Sequence, residues 1–133
     1  MSMSKEKRIG DLKLSAGRFP EKHELEVGML FVQLGHDVLF LPESQTKGQR
    51  TADIEMDGLE WEIKSPTGKG KQVVEKQFRR AKGQSVNLIL DSRRCPFSDD
   101  AFLKMVQKQW ETKRVVKRLT VITKENGLLD FRR

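Results

Sequence analysis

A single cysteine, Cys95, stands among 133 residues. No disulfide can therefore close within the chain, which fits a reducing cytoplasm. Only two histidines are present, His23 and His36, well apart in sequence. With one cysteine they cannot make an ordinary structural zinc site, so any metal would be held by oxygen. Long apolar runs are missing too, and nothing approaches the roughly 18 residues of a membrane-spanning helix. The N-terminal stretch MSMSKEKRIGDLKLSAGRF is basic but has no apolar centre, which excludes a Sec-type signal peptide. What remains is a soluble, highly charged globular chain, 36% apolar and 34% charged, long enough for one domain with a modest core.

The charge is unevenly spread. Residues 1–63 carry 8 Lys/Arg against 12 Asp/Glu, a balance of −4, and residues 64–133 carry 18 against 7, a balance of +11. Such asymmetry suggests a polyanionic partner gripped by the second half. A lysine-rich surface kept for solubility would read the same way.

Residues 1–18 lack periodicity and read as a basic N-terminal arm or an ordering segment, leaving 19–133 as the single domain. A helix is predicted over 20–35, with Pro20 at its start, Gly35 as its stop and an apolar face of Leu25, Met29, Leu30, Phe31, Val32 and Leu34. Strand 37–41 follows, then a polar loop over 42–50. A second helix over 71–82 would bury Val74, Phe78 and Ala81. The run 86–90 is continuously apolar, as in a strand covered on both faces. Ser98 caps a third helix to about Lys113, with Phe102, Val106 and Trp110 at helical spacing. A last hairpin joins 119–123 to 128–131. The order α-β-β-β-α-β-α-β-β implies an α/β or α+β domain with a mixed central sheet flanked by helices.

The most informative stretch is TADIEMDGLEWEIKSP, residues 51–66, which holds five carboxylates. Asp57–Gly58 is a favoured two-residue hairpin turn. Counting outward from it, Met56 opposes Leu59, Glu55 opposes Glu60, Ile54 opposes Trp61 and Asp53 opposes Glu62. One face then carries Ala52, Ile54, Met56, Leu59, Trp61 and Ile63. The other carries Asp53, Glu55, Glu60, Glu62 and Lys64. Opposed like charges cost roughly 0.2–1 kcal/mol per exposed pair. Either the face is solvated and tolerates this, or a divalent cation shared through carboxylate oxygens removes it. Glu55/Glu60 suits the first reading. Asp53/Glu62, with Lys64 two residues on along the same face, suits the second. Phosphodiester hydrolysis needs a cation to polarise the phosphoryl oxygen and a positive group beside the attacking water.

Asp53 followed by Glu62-Ile63-Lys64 resembles the D…ExK core of the PD-(D/E)xK nuclease superfamily, whose minimal α-β-β-β-α-β order is similar as well. Members commonly carry a glutamate on the first helix about three turns before a terminating glycine; Glu24 stands in that place relative to Gly35. Ala52 replaces the proline of the family name. From His23-Glu24 through LGHDVLFLPES, the hairpin, a lysine-rich helix and GQSVNLILD, residues 20–131 look like the C-terminal tRNase domain of contact-dependent growth inhibition (CdiA-type) toxins. The resemblance implies a restriction-endonuclease-like core and a metal-dependent endonuclease acting on tRNA. Its catalytic residues would be Glu24, Asp53, Glu62 and Lys64, with Mg²⁺ or Mn²⁺ held by Asp53 and Glu62. It also implies a small immunity protein as partner, and action in the cytoplasm after delivery within a secreted toxin. The chain's own Met1 and the lack of a pretoxin segment suggest an excised domain or a free-standing relative on a mobile element.

Lys69, Lys71, Lys76, Arg79, Arg80 and Lys82 follow the motif closely and read as a phosphate track, or as a solvated helix face. Lys113, Arg114, Lys117 and Arg118 could extend it. Ser65 and Gln84 read as structural before functional, as do His23 and Trp110. Rival readings are a DNA nuclease, a non-catalytic nucleic-acid-binding module on the same scaffold, and a histidine-based RNase using His23 or His36.

Overall fold

The hairpin arithmetic is realised at three pairs, while Asp53, expected opposite Glu62, falls outside the paired strand residues. The computed structural model describes residues 8–43, 52–81 and 86–133. Within it Asp57 and Gly58 adopt φ of 56° and 77°, the left-handed pair that a tight twisted hairpin needs. Strands β3 (Ile54–Met56) and β4 (Leu59–Lys64) pair antiparallel, with Ile54, Glu55 and Met56 opposite Trp61, Glu60 and Leu59. Ala52, Ile54, Met56, Trp61 and Ile63 are all buried. On the other face Glu55 and Glu60 are exposed, whereas Glu62 is 3% exposed. The two acidic pairs therefore live in different dielectrics.

The remaining elements follow the predicted order, with one strand ahead of it. These are β1 (Leu12–Leu14), α1 (Lys22–Gln33), β2 (Val38–Phe40), α2 (Val73–Ala81), β5 (Asn87–Asp91), α3 (Asp99–Thr112), β6 (Arg118–Ile122) and β7 (Leu128–Arg132). The described part of the segment read as an arm or ordering segment supplies β1, which pairs parallel with β2. One mixed sheet of seven strands results, in the order β1-β2-β3-β4-β5-β6-β7. β4, β5 and β6 run parallel, joined by α2 and α3 as crossover helices.

The register assigns the layers. Leu88, Leu90, Leu119 and Val121 pack with Val74 and Phe78 of α2 and Phe102 and Val106 of α3. Ile63, Ile89 and Ile122 pack with Val27, Phe31 and Val32 of α1 on the opposite side. Since Glu62 pairs with Leu88 and Lys64 with Leu90, both side chains lie on the α2/α3 side of the sheet.

One detail of α1 differs from the sequence reading. The buried stripe of α1 is Val27, Gly28, Phe31 and Val32, while Met29 and Leu34, expected in the apolar face, are 42% and 40% exposed. Gly28 shifts the stripe: a Cβ there would lie 2.9 Å from Cε2 of Phe40, so the helix seats its bare backbone on that ring. Trp110 is partly buried, with the Arg133 guanidinium 3.6 Å from its ring centroid. No helix among the described residues is long and apolar enough to cross a membrane.

The α1 contact makes a test. Gly28→Val overpacks the seam against Phe40 and should lower unfolding stability by about 1–3 kcal/mol in urea titrations. Adding Phe40→Leu should restore part of the loss.

Candidate active site

β4 changes partner halfway along. Residues 59–61 pair with β3, and residues 62–64 pair with β5. Beyond Trp61 the edge of β4 that faced β3 is left open, and a backbone N–H there needs an acceptor. Asp53 provides it: its Oδ2 accepts from the Ile63 N–H at 2.8 Å. Its own N–H donates to the Trp61 carbonyl at 2.9 Å, and its carbonyl accepts from Leu41 N at 2.9 Å. The Asp53 carboxylate is thus fixed in the gap between two diverging strands.

Glu62 and Lys64 approach that gap from the α2/α3 side. Lys64 Nζ lies 3.2 Å from Glu62 Oε2. Glu62 Oε1 is buried with no hydrogen-bond donor. Burial, followed by the negative charge of Asp53, raises the Glu62 pKa to about 7 against the opposing effect of Lys64. Asp53 is also raised, first by burial. The Ile63 N–H offsets this, the Glu24 charge adds to it, and Arg18 and Lys64 oppose it.

Glu24 enters from the first turn of α1. Its Oε1 accepts from the N–H of Glu21, the helix-capping residue, at 2.9 Å, so capping fixes its direction. Arg18 links it to the rest. This guanidinium lies 3.5 Å from Glu24 Oε1, 3.4 Å from Asp53 Oδ1 and 3.6 Å from Glu43 Oε1. It also donates to the Leu41 carbonyl at 2.9 Å and sits over the Phe40 ring. Its side chain is only 4% exposed. The sequence reading missed Arg18, which nothing in GRFPEKHE sets apart from Lys22; its role depends on a partner 35 positions away.

Asp53, Glu62 and Lys64 therefore come together, and Glu24 joins them through Arg18. A buried carboxylate oxygen without a donor, beside a second carboxylate, is a donor set that fits a hard divalent cation. As the side chains stand, no group of three or more His, Cys, Asp or Glu among the described residues is placed to hold a metal. A cation on Asp53 and Glu62 would fill its shell with water and substrate oxygens, as Mg²⁺ commonly does.

Of the expected phosphate track, Lys71, Lys76 and Arg80 line a hollow of about 610 Å³ that opens directly after β4 at Ser65. Lys69 is exposed on its loop, and Arg79 pairs with Glu75 at 3.6 Å. Lys82 and Gln84 lie outside the described residues. His23 pairs with Glu21 at 3.5 Å, and His36 pairs with Asp57 at the hairpin turn at 3.0 Å.

Residues 50–128 match the family model described as the contact-dependent growth inhibition CdiA C-terminal domain. The fold is similar to a chain of the solved CdiA-CT/CdiI toxin and immunity complex from Burkholderia pseudomallei. The TM-score is 0.69 at 15% identity, over 93% of this chain and 100% of that one. At that identity the likeness is one of fold. No curated protein matches the chain.

The electrostatics give two tests. Glu62 keeps its proton in the folded state up to about pH 7, whereas the unfolded chain loses it near 4.5. The native state then binds more protons between these values, so metal-free stability should fall as pH rises through that window. Chemical denaturation across pH in EDTA should show the slope, and Glu62→Gln should flatten it. Arg18→Met leaves Glu24 and Asp53 without their shared counter-charge and should lower stability by about 3–5 kcal/mol at neutral pH.

Proposed function

Since the chain belongs to the family of contact-dependent growth inhibition CdiA C-terminal domains, which are toxin domains, we infer that it is a metal-dependent nuclease of PD-(D/E)xK type that cuts tRNA. The observation carrying this reading is the buried Glu62 beside the half-buried Asp53, with the Lys64 ammonium 3.2 Å from Glu62. A protein has little structural use for two carboxylates forced together out of water. Both become useful when a cation shares them.

Asp53 and Glu62 would hold Mg²⁺ or Mn²⁺, which supplies the charge that polarises the phosphoryl oxygen and eases deprotonation of water. Lys64 orients the attacking water and offsets the negative charge developing on the phosphoryl group. Glu24 completes the site from α1. Lys69, Lys71, Lys76, Arg79, Arg80 and Lys82 carry the phosphate backbone away from the cut, which makes binding strongly salt-dependent. tRNA is the substrate on the family likeness, while the chemistry of the site applies to any phosphodiester. The toxin would act in the cytoplasm of the target cell, delivered within a larger secreted protein. Its producer would be protected by an immunity protein, a partner supported by the toxin and immunity complex that supplies the similar fold.

Total tRNA, single-stranded DNA and duplex DNA incubated with Mg²⁺, Mn²⁺ or EDTA test the reading on gels. tRNA should be cut only with a divalent ion, and Lys64→Ala should lower the rate by at least about a hundredfold. The same ions at millimolar concentration should raise the melting temperature, and less so in Asp53→Asn. Binding that survives EDTA without turnover under any condition would favour a non-catalytic binding module. Cleavage confined to DNA would make the chain a DNA nuclease.

A further inference from the structure

The loop after β5, Ser92–Cys95, carries two adjacent arginines with opposite fates. Arg93 is neutralised: its Nε and Nη2 lie 2.9 Å from the two Asp91 oxygens, and its Nη1 lies 2.9 Å from Asn126 Oδ1. Arg94 has no carboxylate at ion-pair distance among the described residues. Its Nη2 donates to the carbonyl of Ser65 at 2.8 Å, the residue directly after Lys64. It is nevertheless exposed. A guanidinium has five N–H donors, so most of this one stays available.

The loop is tied down on several sides. Ser92 reaches the Ile122 carbonyl through both its N–H and its hydroxyl, at 3.0 and 2.7 Å. Cys95 is buried, with its N–H on the Ser92 carbonyl at 3.0 Å and its Sγ on the Gly68 carbonyl at 3.4 Å. Lys124 Nζ donates to the carbonyls of Ser92 and Cys95. A surface arginine on so fixed a base loses little further freedom when it binds.

Its location gives this charge a use. Arg94 lines a hollow of about 470 Å³ with Glu21, Lys22, His23 and Glu26 of the first turns of α1, the turns that carry Glu24. Ser65 lines the basic hollow on the other side, with Lys71, Lys76 and Arg80. The hydrogen bond between Arg94 and Ser65 lies where the two meet. The Ser65 hydroxyl at this junction is buried and has no partner.

We propose that Arg94 is a substrate-binding residue, a fixed guanidinium that grips a backbone phosphate between the α1 wall and the basic hollow. Its planar fork suits phosphate oxygens, and the bond to Ser65 sets its position against Lys64. The proposal rests on the nuclease reading, from which it can be separated.

Fluorescence anisotropy in EDTA with labelled single-stranded RNA and DNA, over about 50–200 mM salt, tests it alongside melting temperatures. Arg94→Ala should bind both strands about tenfold more weakly at low salt. Its salt slope should drop by about 0.7, the share of one phosphate on a single strand, with its melting temperature retained. Arg94→Lys should keep the slope and recover only part of the affinity, because an ammonium cannot hold Ser65 and a phosphate in one fork. Lys108→Ala, an equal charge change on α3 outside both hollows, should alter neither quantity. Wild-type affinity and slope in Arg94→Ala would overturn the proposal, as would weakened binding with an unchanged slope. If wild type cuts tRNA in either case, the nuclease reading survives alone. Wild-type protein that binds neither strand would overturn the Arg94 proposal, and tRNA cleavage with a divalent ion would then decide the nuclease reading by itself.

Discussion

The candidate site depends on one feature: β3 stops pairing with β4 at Trp61, just where the pairing of β4 with β5 begins at Glu62. The first half of β4 belongs to the hairpin and its second half to the parallel sheet, held there by Asn87 Nδ2 on the Glu60 carbonyl at 2.9 Å. Where the strands part, one N–H loses its neighbour, and the Asp53 carboxylate is drawn into the opening to satisfy it. Because the opening lies in the plane of the sheet, α1 reaches it from one layer and the Glu62 and Lys64 side chains from the other. Continuous pairing of β3 along all of β4 would leave Asp53 as one more acid on a sheet face.

Electrostatics explains why the two acidic pairs of the hairpin diverge. Glu55 and Glu60 face water, where repulsion between unit charges is about 1 kcal/mol or less at contact distance. Asp53 and Glu62 are denied that screening, so the protein responds with a held proton and with Arg18 and Lys64. Arg18 is unusual in serving three carboxylates from a nearly buried position. The same guanidinium couples the start of α1 to the strand gap, so any adjustment of Glu24 is felt at Asp53.

Much of this was legible in the sequence because the signals were local. The Asp57–Gly58 turn set the register of the first three pairs, alternation sorted the two faces, and the family resemblance singled out Glu24 by its place ahead of Gly35. Helix positions such as Val74, Phe78, Phe102 and Val106 followed from periodicity. What escaped depends on distant partners. β1 forms because β2 offers a free edge to three residues with no strand pattern of their own. Gly28 redirected the α1 face through a contact with Phe40, a ring twelve positions on. Arg93 and Arg94 look identical in RRCPF, and only the fold distinguishes them, by placing Asp91 and Asn126 beside one and Ser65 beside the other. The nearness of Asp53 to Glu62 was legible, but the end of β3 at Ile54, which takes Asp53 out of strand register, was not.

The shared strand has a further consequence for cooperativity. Neither half of the sheet keeps a closed core if β4 is withdrawn: one core loses Trp61 and Ile63, and β5 loses the neighbour that pairs with Leu88–Leu90. Partial unfolding that spares one half is therefore disfavoured, and the chain should open in a single all-or-none step. The carboxylate pair disperses in that same step, so the assembled site and the intact fold share one stability limit.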